Sequence, residues 1–446
     1  MQDHALPTRL PVDPGLSSEF HRWPLPGYLW PALERRSQSI FCTEPHLRIH
    51  GTLTSDIEAW VLRREGRIAA LWLFRRQGRK ARVLNEVASE SVADAEHFAD
   101  ALFARYRELD VIELHALHLV DALPPMSRHG RQASGLGPRM TADAGDAGFQ
   151  RSDGGVYSGD GDRGDGGEEG RAREPGSGRY EHDGDEAEYD DGDGKRGDAR
   201  GDLHQLRQSR HPGFPWQRAA VSEDFVLTLP ASVEDWHASL SARTREKLRQ
   251  CLRRAQRSDP SLSFRTLNDV DISERQVRAV LQMSRARMRA KGRTYGMDAR
   301  EERRLCALMR ERGQLATIEV DGRMRAGLLC TLAGNDIYMH VIAHDPAFDE
   351  LRLGYLCCVL CIEAAIAQGM QRFHFLWGWY DYKVRLGGQR QILEHALLWR
   401  SRIAVCRHPL LFIRQQWLGL KAALRERRME RQARQARQSL EAAHVH

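Results

Sequence analysis

Two short segments concentrate the groups that could do chemistry. The first is Asp345-Pro346-Ala347-Phe348-Asp349-Glu350-Leu351-Arg352-Leu353-Gly354-Tyr355, between an alternating apolar run and the apolar stretch ending at Ala367. A stretch apolar on nearly all sides predicts a helix packed on a sheet. The amino-terminal turn of that helix presents unpaired amide protons and a partial positive charge. There Arg352, Leu353, Gly354 and Tyr355 would suit a pyrophosphate, because glycine lets the backbone approach and arginine adds charge-assisted hydrogen bonds. The plainer alternative is that Gly354 eases a turn and Arg352 is solvated. The second segment runs from Phe373 to Gly388 and carries Tyr380, Asp381, Tyr382, Lys383 and Arg385. A tyrosine can protonate a departing thiolate and a lysine can hold an oxyanion or a phosphate. Here the alternative is an aromatic and basic rim that closes a sheet and binds nothing.

The elements that must position these groups occur twice. Trp60-Val61-Leu62, a turn at Glu65-Gly66-Arg67, Ile68 to Phe74, a turn at Gln77-Gly78 and Ala81 to Leu84 predict a β-meander. Leu315 to Val320, Asp321-Gly322-Arg323, Ala326 to Leu332, Gly334-Asn335 and Ile337 to Ala343 repeat it, and each acidic-Gly-Arg turn suits a tight hairpin. A helix and a strand follow each meander: Asp94 to Arg107 with Val111 to Leu117, and Gly354 to Ala367 with Arg372 to Trp377. The chain therefore reads as an internal duplication. The corresponding helix start in the first copy, Ser89 to Glu96, is acidic, so only the second copy suits an anionic cofactor. Three helices precede the second meander. They are expected at about 243–257, from Ser273 with Gln276 to about Arg289, and from Asp298 with Glu301 to about Gly313.

Composition bounds the alternatives. The chain has 446 residues and a formal charge of +6. Residues 151–200 hold 14 of the 38 glycines and 16 acidic against 8 basic residues, a local charge of −8, which leaves +14 for the rest. Residues 122–212 lack the branched aliphatics needed to offset ordering entropy and read as a disordered insertion. The longest apolar stretch is too short to span a membrane, and the amino terminus lacks the apolar core of a secretory signal, so a cytoplasmic protein is expected. The eight cysteines, including Cys357, Cys358 and Cys361 within the apolar helix, read as reduced core thiols, with no metal expected.

Two helices are strongly basic. Residues 240–260 carry seven Lys/Arg, among them Arg243 and Lys247. They read as a solvated face, as a groove for a phosphorylated acceptor or the 3′-phosphate of coenzyme A, or as a nucleic-acid contact. The last is disfavoured because no aromatics are interleaved. Residues 409–446 carry eight basic and three acidic residues, and Leu411, Trp417, Leu418 and Leu424 could dock on the protein or on an anionic membrane leaflet.

The strand, Arg-x-Gly turn, buried helix and strand resemble the core of the GNAT acyltransferase superfamily. The string Leu240 to Ala255, the Asp345-Pro346-x-Phe348 turn, and Gly378 followed by Tyr382-Lys383-x-x-x-Gly387 resemble CelD/BcsL-type acetyltransferases. The Tyr-Lys-x-x-x-Gly element is also similar to one in FemAB aminoacyltransferases. This chain has Arg352-Leu353-Gly354 where family members often carry Ser-Pro-Gly. The resemblance implies an α/β fold of α+β type, with tandem GNAT-like halves whose mixed sheets are flanked by helices. The implied organisation is a tail at 1–27, a non-catalytic half at 28–121, the insertion at 122–212, a catalytic domain at 213–408 and a basic helix at 409–446.

It also implies an acyl-CoA-dependent N-acyltransferase, with acetyl-CoA as co-substrate and a sugar-containing precursor of a cell-surface polysaccharide as acceptor. Peripheral contact with membrane polysaccharide machinery would follow. In that reading His340 is the general base, Tyr382 the leaving-group acid, Lys383 an anion or oxyanion holder, and Asp381 an orienting group. Arg352, Leu353, Gly354 and Tyr355 hold the cofactor, while Arg243, Lys247, Tyr380 and Arg385 bind the acceptor. For His340 the competing role is a hydrogen-bonded strand histidine. A FemAB-like aminoacyl-tRNA-dependent transferase and an inactive assembly partner of a polysaccharide synthase are the other readings.

Overall fold

The computed structural model describes residues 15–37, 39–85, 88–89, 92–119, 214–259, 261–378 and 380–443. The expected insertion at 122–212 lies outside them. The first half contains β1 (Leu16–Arg22), α1 (Leu29–Ser37), α2 (Glu44–Ile49), β2 (Ile57–Arg64), β3 (Arg67–Gln77), β4 (Lys80–Val83), β5 (Ala88–Ser89), α3 (Val92–Arg105) and β6 (Val111–Leu119). After the insertion come β7 (Trp216–Thr228), α4 (Val233–Ser239), α5 (Ala242–Ser258), β8 (Ser263–Asn268), α6 (Glu274–Ala290) and α7 (Ala299–Arg312). The second meander is β9 (Gly313–Val320), β10 (Arg323–Ala333) and β11 (Asp336–His344). It leads into α8 (Leu353–Ala367), β12 (Arg372–His374), α9 (Asp381–Arg385), β13 (Gln389–Trp399), α10 (Arg402–Arg407) and α11 (Pro409–Ala443).

The two meanders have the same geometry for the same local reason. Glu65 and Gly66 adopt φ of 52° and 76°, and Asp321 and Gly322 adopt 51° and 69°. Two successive positive φ angles make the tight hairpin turn that matches strand twist. In each copy a helix crosses over to a parallel strand: α3 joins the meander to β6, which pairs parallel with β4, and α8 joins β11 to its parallel neighbour β12. Helix starts are specified by side chains. Ser273 and Gln276 form a reciprocal capping box on α6, Asp298 caps α7, and Ser241 caps α5.

The two copies share one mixed sheet flanked by helices, in the order β1-β2-β3-β4-β6-β13-β7-β12-β11-β10-β9-β8. At its centre β13, late in the chain, lies antiparallel between β6 of the first copy and β7 of the second. Asp110 reinforces this seam: it is buried and accepts from Arg79 at 2.6 Å, Arg407 at 3.1 Å and His408 at 3.1 Å. One sheet face packs α3 around Trp60, Trp72 and Phe98 and packs α8 around Phe225, Ile337 and Phe373. Cys357, Cys358 and Cys361 are buried in this second core.

One feature differs from the sequence reading, and one extends it. Leu16–Arg22, read as part of a tail, forms the edge strand β1 in register with β2, and Phe20 packs edge-on against Phe74 and Tyr106. A backbone ladder, Leu16, Phe20 and the Glu19–Arg63 ion pair hold this strand, so it leaves little apolar periodicity to detect. The basic carboxy-terminal segment is a continuous helix over Pro409–Ala443. It turns Phe412 and Gln415 toward the sheet and leaves Leu410, Ile413, Trp417, Leu420 and Leu424 exposed. Among the described residues no helix is long and apolar enough to cross a membrane.

Candidate functional site

β11 and β12 separate early. Their ladder joins Asp336 to Arg372, Ile337 to Phe373 and Tyr338 to His374, and no pairs follow, although β11 continues to His344. β12 ends at His374, short of the expected Trp377, because Leu376 turns the chain with φ of 56°. From Met339 onward β11 therefore presents an edge without ladder bonds toward β12.

The start of α8 lies beyond this opening. A short helical turn, Pro346–Leu351, precedes it, capped by Asp345, which also pairs with Arg325 at 2.8 Å. Arg325 in turn stacks over Phe348, so the Asp345-Pro346-x-Phe348 turn is held from the neighbouring strand. Arg352 adopts a left-handed conformation, φ 52° and ψ 40°, costing an L-residue about 1–2 kcal/mol. It provides no side-chain cap for α8. Gly354 is required by packing: a Cβ there would lie 2.8 Å from Nδ1 of His344. His344 is buried, its Nε2 meets the Asp349 carboxylate at 2.5 Å, and its Nδ1 has no hydrogen-bond partner. An orphaned imidazole nitrogen thus sits against the amino-terminal turn of a buried helix. His344 and Asp349 were missed in the sequence; the tightly packed Gly354, ten residues after His344, is the signal that could have found them.

Cations from three elements gather around this turn. Lys247 of α5 has its ammonium pKa lowered, first by burial and then by Arg352 and Arg385. Arg385 pairs with Asp381 at 2.5 Å. Tyr355 is edge-on to Tyr382 at 6.5 Å, and Tyr382 lies beside Tyr380 at 5.9 Å. Burial pushes the phenols of Tyr355 and Tyr382 well above their usual range, so both stay protonated at neutral pH. The structure therefore brings together Lys247, Arg352, Leu353, Gly354, Tyr355, Tyr380, Asp381, Tyr382 and Arg385. Arg243, on the same helix as Lys247, is exposed.

Lys383 requires a correction. It is 1% exposed, and its ammonium donates to the carbonyl oxygens of Leu376 at 3.1 Å, Trp377 at 2.7 Å and Gly378 at 3.0 Å. A lysine has three such protons, and all are committed to the loop after β12. Lys383 pins that loop and has no proton left for an oxyanion or a phosphate. Burial lowers its pKa to about 8. The following glycines serve the same turn: Gly387 has φ of 93°, and a Cβ on Gly388 would lie 2.8 Å from the Lys383 carbonyl oxygen.

His340 stands apart from the tyrosines. Ile337 and Met339 pack with α8, so Tyr338 and His340 alternate to the other sheet face. His340 Nε2 meets Thr331 Oγ1 at 2.7 Å, and burial with the neighbouring His50 lowers its pKa to about 4. His50 opens onto a groove of about 430 Å³ lined by Arg300, Arg303 and Arg304. A larger cavity, about 590 Å³ beside Leu229 and Met370, lies at the far end of α8 and touches none of the candidate residues. On the His340 face the sequence reading also missed a buried pair, His374 Nδ1 with Asp224 at 2.6 Å, with His374 stacked on Tyr338. Only the sheet register brings Asp224 and His374 together.

Residues 242–384 match the family model described as an acetyltransferase (GNAT) domain. Among solved structures the fold is similar to FemX, with 9% identity, 89% of this chain and 100% of that chain covered, and a TM-score of 0.50. The carboxy-terminal domain of a putative lysylphosphatidylglycerol synthetase from Agrobacterium fabrum aligns at 10% identity over 76% of this chain and 84% of that one, TM-score 0.36. A tandem GNAT protein from the clavulanic acid biosynthesis pathway aligns at 10% identity over 86% and 98%, TM-score 0.31. No curated protein sequence matches significantly.

Proposed function

We propose that this chain, whose residues 242–384 match the GNAT acetyltransferase family model, is an acyl-CoA-dependent N-acyltransferase. The observation that carries this reading is the convergence of Lys247, Arg352 and Arg385 on the amino-terminal turn of α8. Like charges repel and raise each other's free energy, so their assembly at a helix start suits a bound polyanion. Coenzyme A would be held there by the first-turn amides of α8 and by Arg352 and Lys247, with its pantetheine arm along the unpaired edge of β11. His344 fills the space over Gly354, so the first-turn amides and the cations, rather than a close approach at Gly354, would carry the phosphate contacts.

The thioester supplies an activated acyl group. Attack by an acceptor amine forms the C–N bond and breaks the C–S bond; the amine gives up a proton and the departing thiolate takes one. The protonated phenol of Tyr382 is the leaving-group acid, and Asp381 keeps Arg385 in place beside it. The acceptor enters on the His340 face. His340 is neutral at physiological pH and can take the amine proton, though with a lower driving force than an unperturbed histidine. Arg300, Arg303 and Arg304 suit an acceptor that carries negative charge. Acetyl-CoA as donor and a sugar-containing polysaccharide precursor as acceptor rest on the CelD/BcsL resemblance, as does peripheral membrane contact, for which the exposed apolar stripe of α11 is the available surface.

A second reading, transfer from an aminoacyl-tRNA, is favoured by the continuous sheet through both copies and the full-length fold similarity to FemX. Calorimetric titration with coenzyme A separates the two. Saturable binding that weakens at least tenfold in Lys247→Ala/Arg352→Ala supports the first reading. Absence of heat, together with turnover of charged tRNA, supports the second. Absence of both leaves an assembly protein.

A further inference from the structure

A second cluster lies at the β6–β13 seam, on the sheet face that α11 covers. Glu113 and His115 lie two residues apart on β6, hence on one face, and His395 lies on the adjoining β13. The β6–β13 register shifts between Glu394 and Ala396, opposite Leu117 and Leu114. A bulge at this point re-aims side chains, and here it brings the two imidazoles to 4.4 Å between ring centroids. His115 Nε2 is buried without a hydrogen-bond partner and lies 3.8 Å from Glu113 Oε2, too far for a hydrogen bond. One ligand atom from each of the three residues lies within 4.8 Å of the others.

The residue behind His395 determines which of its nitrogens is available. Gln415 of α11 uses its amide Nε2 to donate to the carbonyl oxygens of His395 at 2.7 Å and Gln217 at 3.4 Å. Its Oε1 must therefore be the atom facing His395 Nδ1 at 2.6 Å, so Nδ1 carries the proton and donates it. That leaves the lone pair on Nε2. An outer amide or carboxylate that fixes the tautomer and orientation of a histidine is the usual companion of a metal-ligating imidazole.

We propose that Glu113, His115 and His395 bind a divalent transition metal that staples the two copies together across the β6–β13 seam. Two imidazole nitrogens and one carboxylate oxygen form a donor set suited to zinc, cobalt or nickel, with a fourth position left to water. Bonds of about 2 Å place tetrahedral ligand atoms about 3.3 Å apart, so the three side chains close on the ion by rotation about their own torsions. The charged groups facing the cluster are Arg82 from β4 and Arg414 from α11. Two guanidiniums beside a single carboxylate disfavour magnesium and calcium, which need oxygen ligands and negative charge. The metal would clamp together strands that the chain makes far apart.

The test uses the full-length chain with any affinity tag removed and metal stripped by chelation. Titration with Co²⁺ should give visible d–d absorption that saturates at one equivalent and is displaced by Zn²⁺, and Zn²⁺ should raise the melting temperature. His395→Gln and, separately, Glu113→Gln should lose the saturable band while keeping the wild-type circular dichroism spectrum. Gln415→Leu should weaken binding about 10–100-fold through loss of tautomer control. Wild-type protein without a saturable band, or Glu113→Gln binding as tightly as wild type, would overturn the assignment. Glu113 is only partly buried, so that comparison holds even where His395→Gln fails to fold.

Discussion

Lys383 Nζ donates to the carbonyl oxygen of Trp377 across 2.7 Å. This contact, with its companions at Leu376 and Gly378, converts an apparent catalytic lysine into the anchor of the loop that follows β12. Replacing it should act through folding. Lys383→Met strands three carbonyls in a buried site, a cost of about 3–5 kcal/mol by comparison with other broken buried charge contacts. Urea unfolding at pH 7 would measure it. A stable Lys383→Met protein that had lost only turnover would return the lysine to the reaction.

Gly354 and His344 make a size-matched pair. Gly354→Ala should destabilise the protein by about 1–3 kcal/mol, because the new methyl meets Nδ1 at 2.8 Å. Adding His344→Ala should recover much of that loss. Thermal melts of the two single variants and the double variant form a cycle whose coupling should be favourable. Additive effects would show that the imidazole does not set the size limit at Gly354.

Titration of His340 should make the protein acid-sensitive. Its folded pKa of about 4 lies below the ordinary value of about 6.5. Between these values the unfolded chain binds more protons, so the contribution of His340 to stability rises with pH through the window and is lost as pH falls toward 4. His340→Gln, which cannot titrate, should make the stability profile between pH 4 and 6.5 less steep, with His46 and His395 supplying the remaining slope. An unchanged profile would rule out His340 as the source.

Binding of coenzyme A should depend strongly on salt. The cationic groups at the α8 start are partly exposed, so raising ionic strength screens them. Arg352→Ala and Lys247→Ala should each lower affinity and also reduce the slope of log Kd against log salt. Equal slopes in wild type and variants would move the anion elsewhere.

Sheet-breaking at the seam gives a further check. Asp110→Asn keeps the shape but removes the charge that receives Arg79, Arg407 and His408. Arg79 and Arg407 are themselves about half exposed, so water takes over part of the lost interaction, and a loss of about 1–2 kcal/mol is expected in urea. A change below about 0.5 kcal/mol would show that these contacts are screened like surface pairs.

The sequence alone determined what depends on neighbours close in the chain. The hairpin turns at Glu65-Gly66 and Asp321-Gly322, the caps of α6 and α7, the all-round apolarity of α8 and the duplicated order of elements are local, because backbone φ preferences and hydrophobic period act over a few residues. The position of Arg352 to Tyr355 at a buried helix start was legible for the same reason. Tertiary structure decided everything that needed a distant partner. Lys383 looks like any exposed basic residue until the loop at Leu376 to Gly378 folds over it. His340 and Tyr382 fall on opposite faces because strand alternation and the sheet's covering helices assign them. The placement of β13 between β6 and β7, and with it the meeting of Glu113, His115 and His395, comes from backbone pairing between segments nearly three hundred residues apart. Hydrogen-bond ladders carry no side-chain signature, so the partner of a strand that no tight turn joins to its neighbour is written only in the folded sheet.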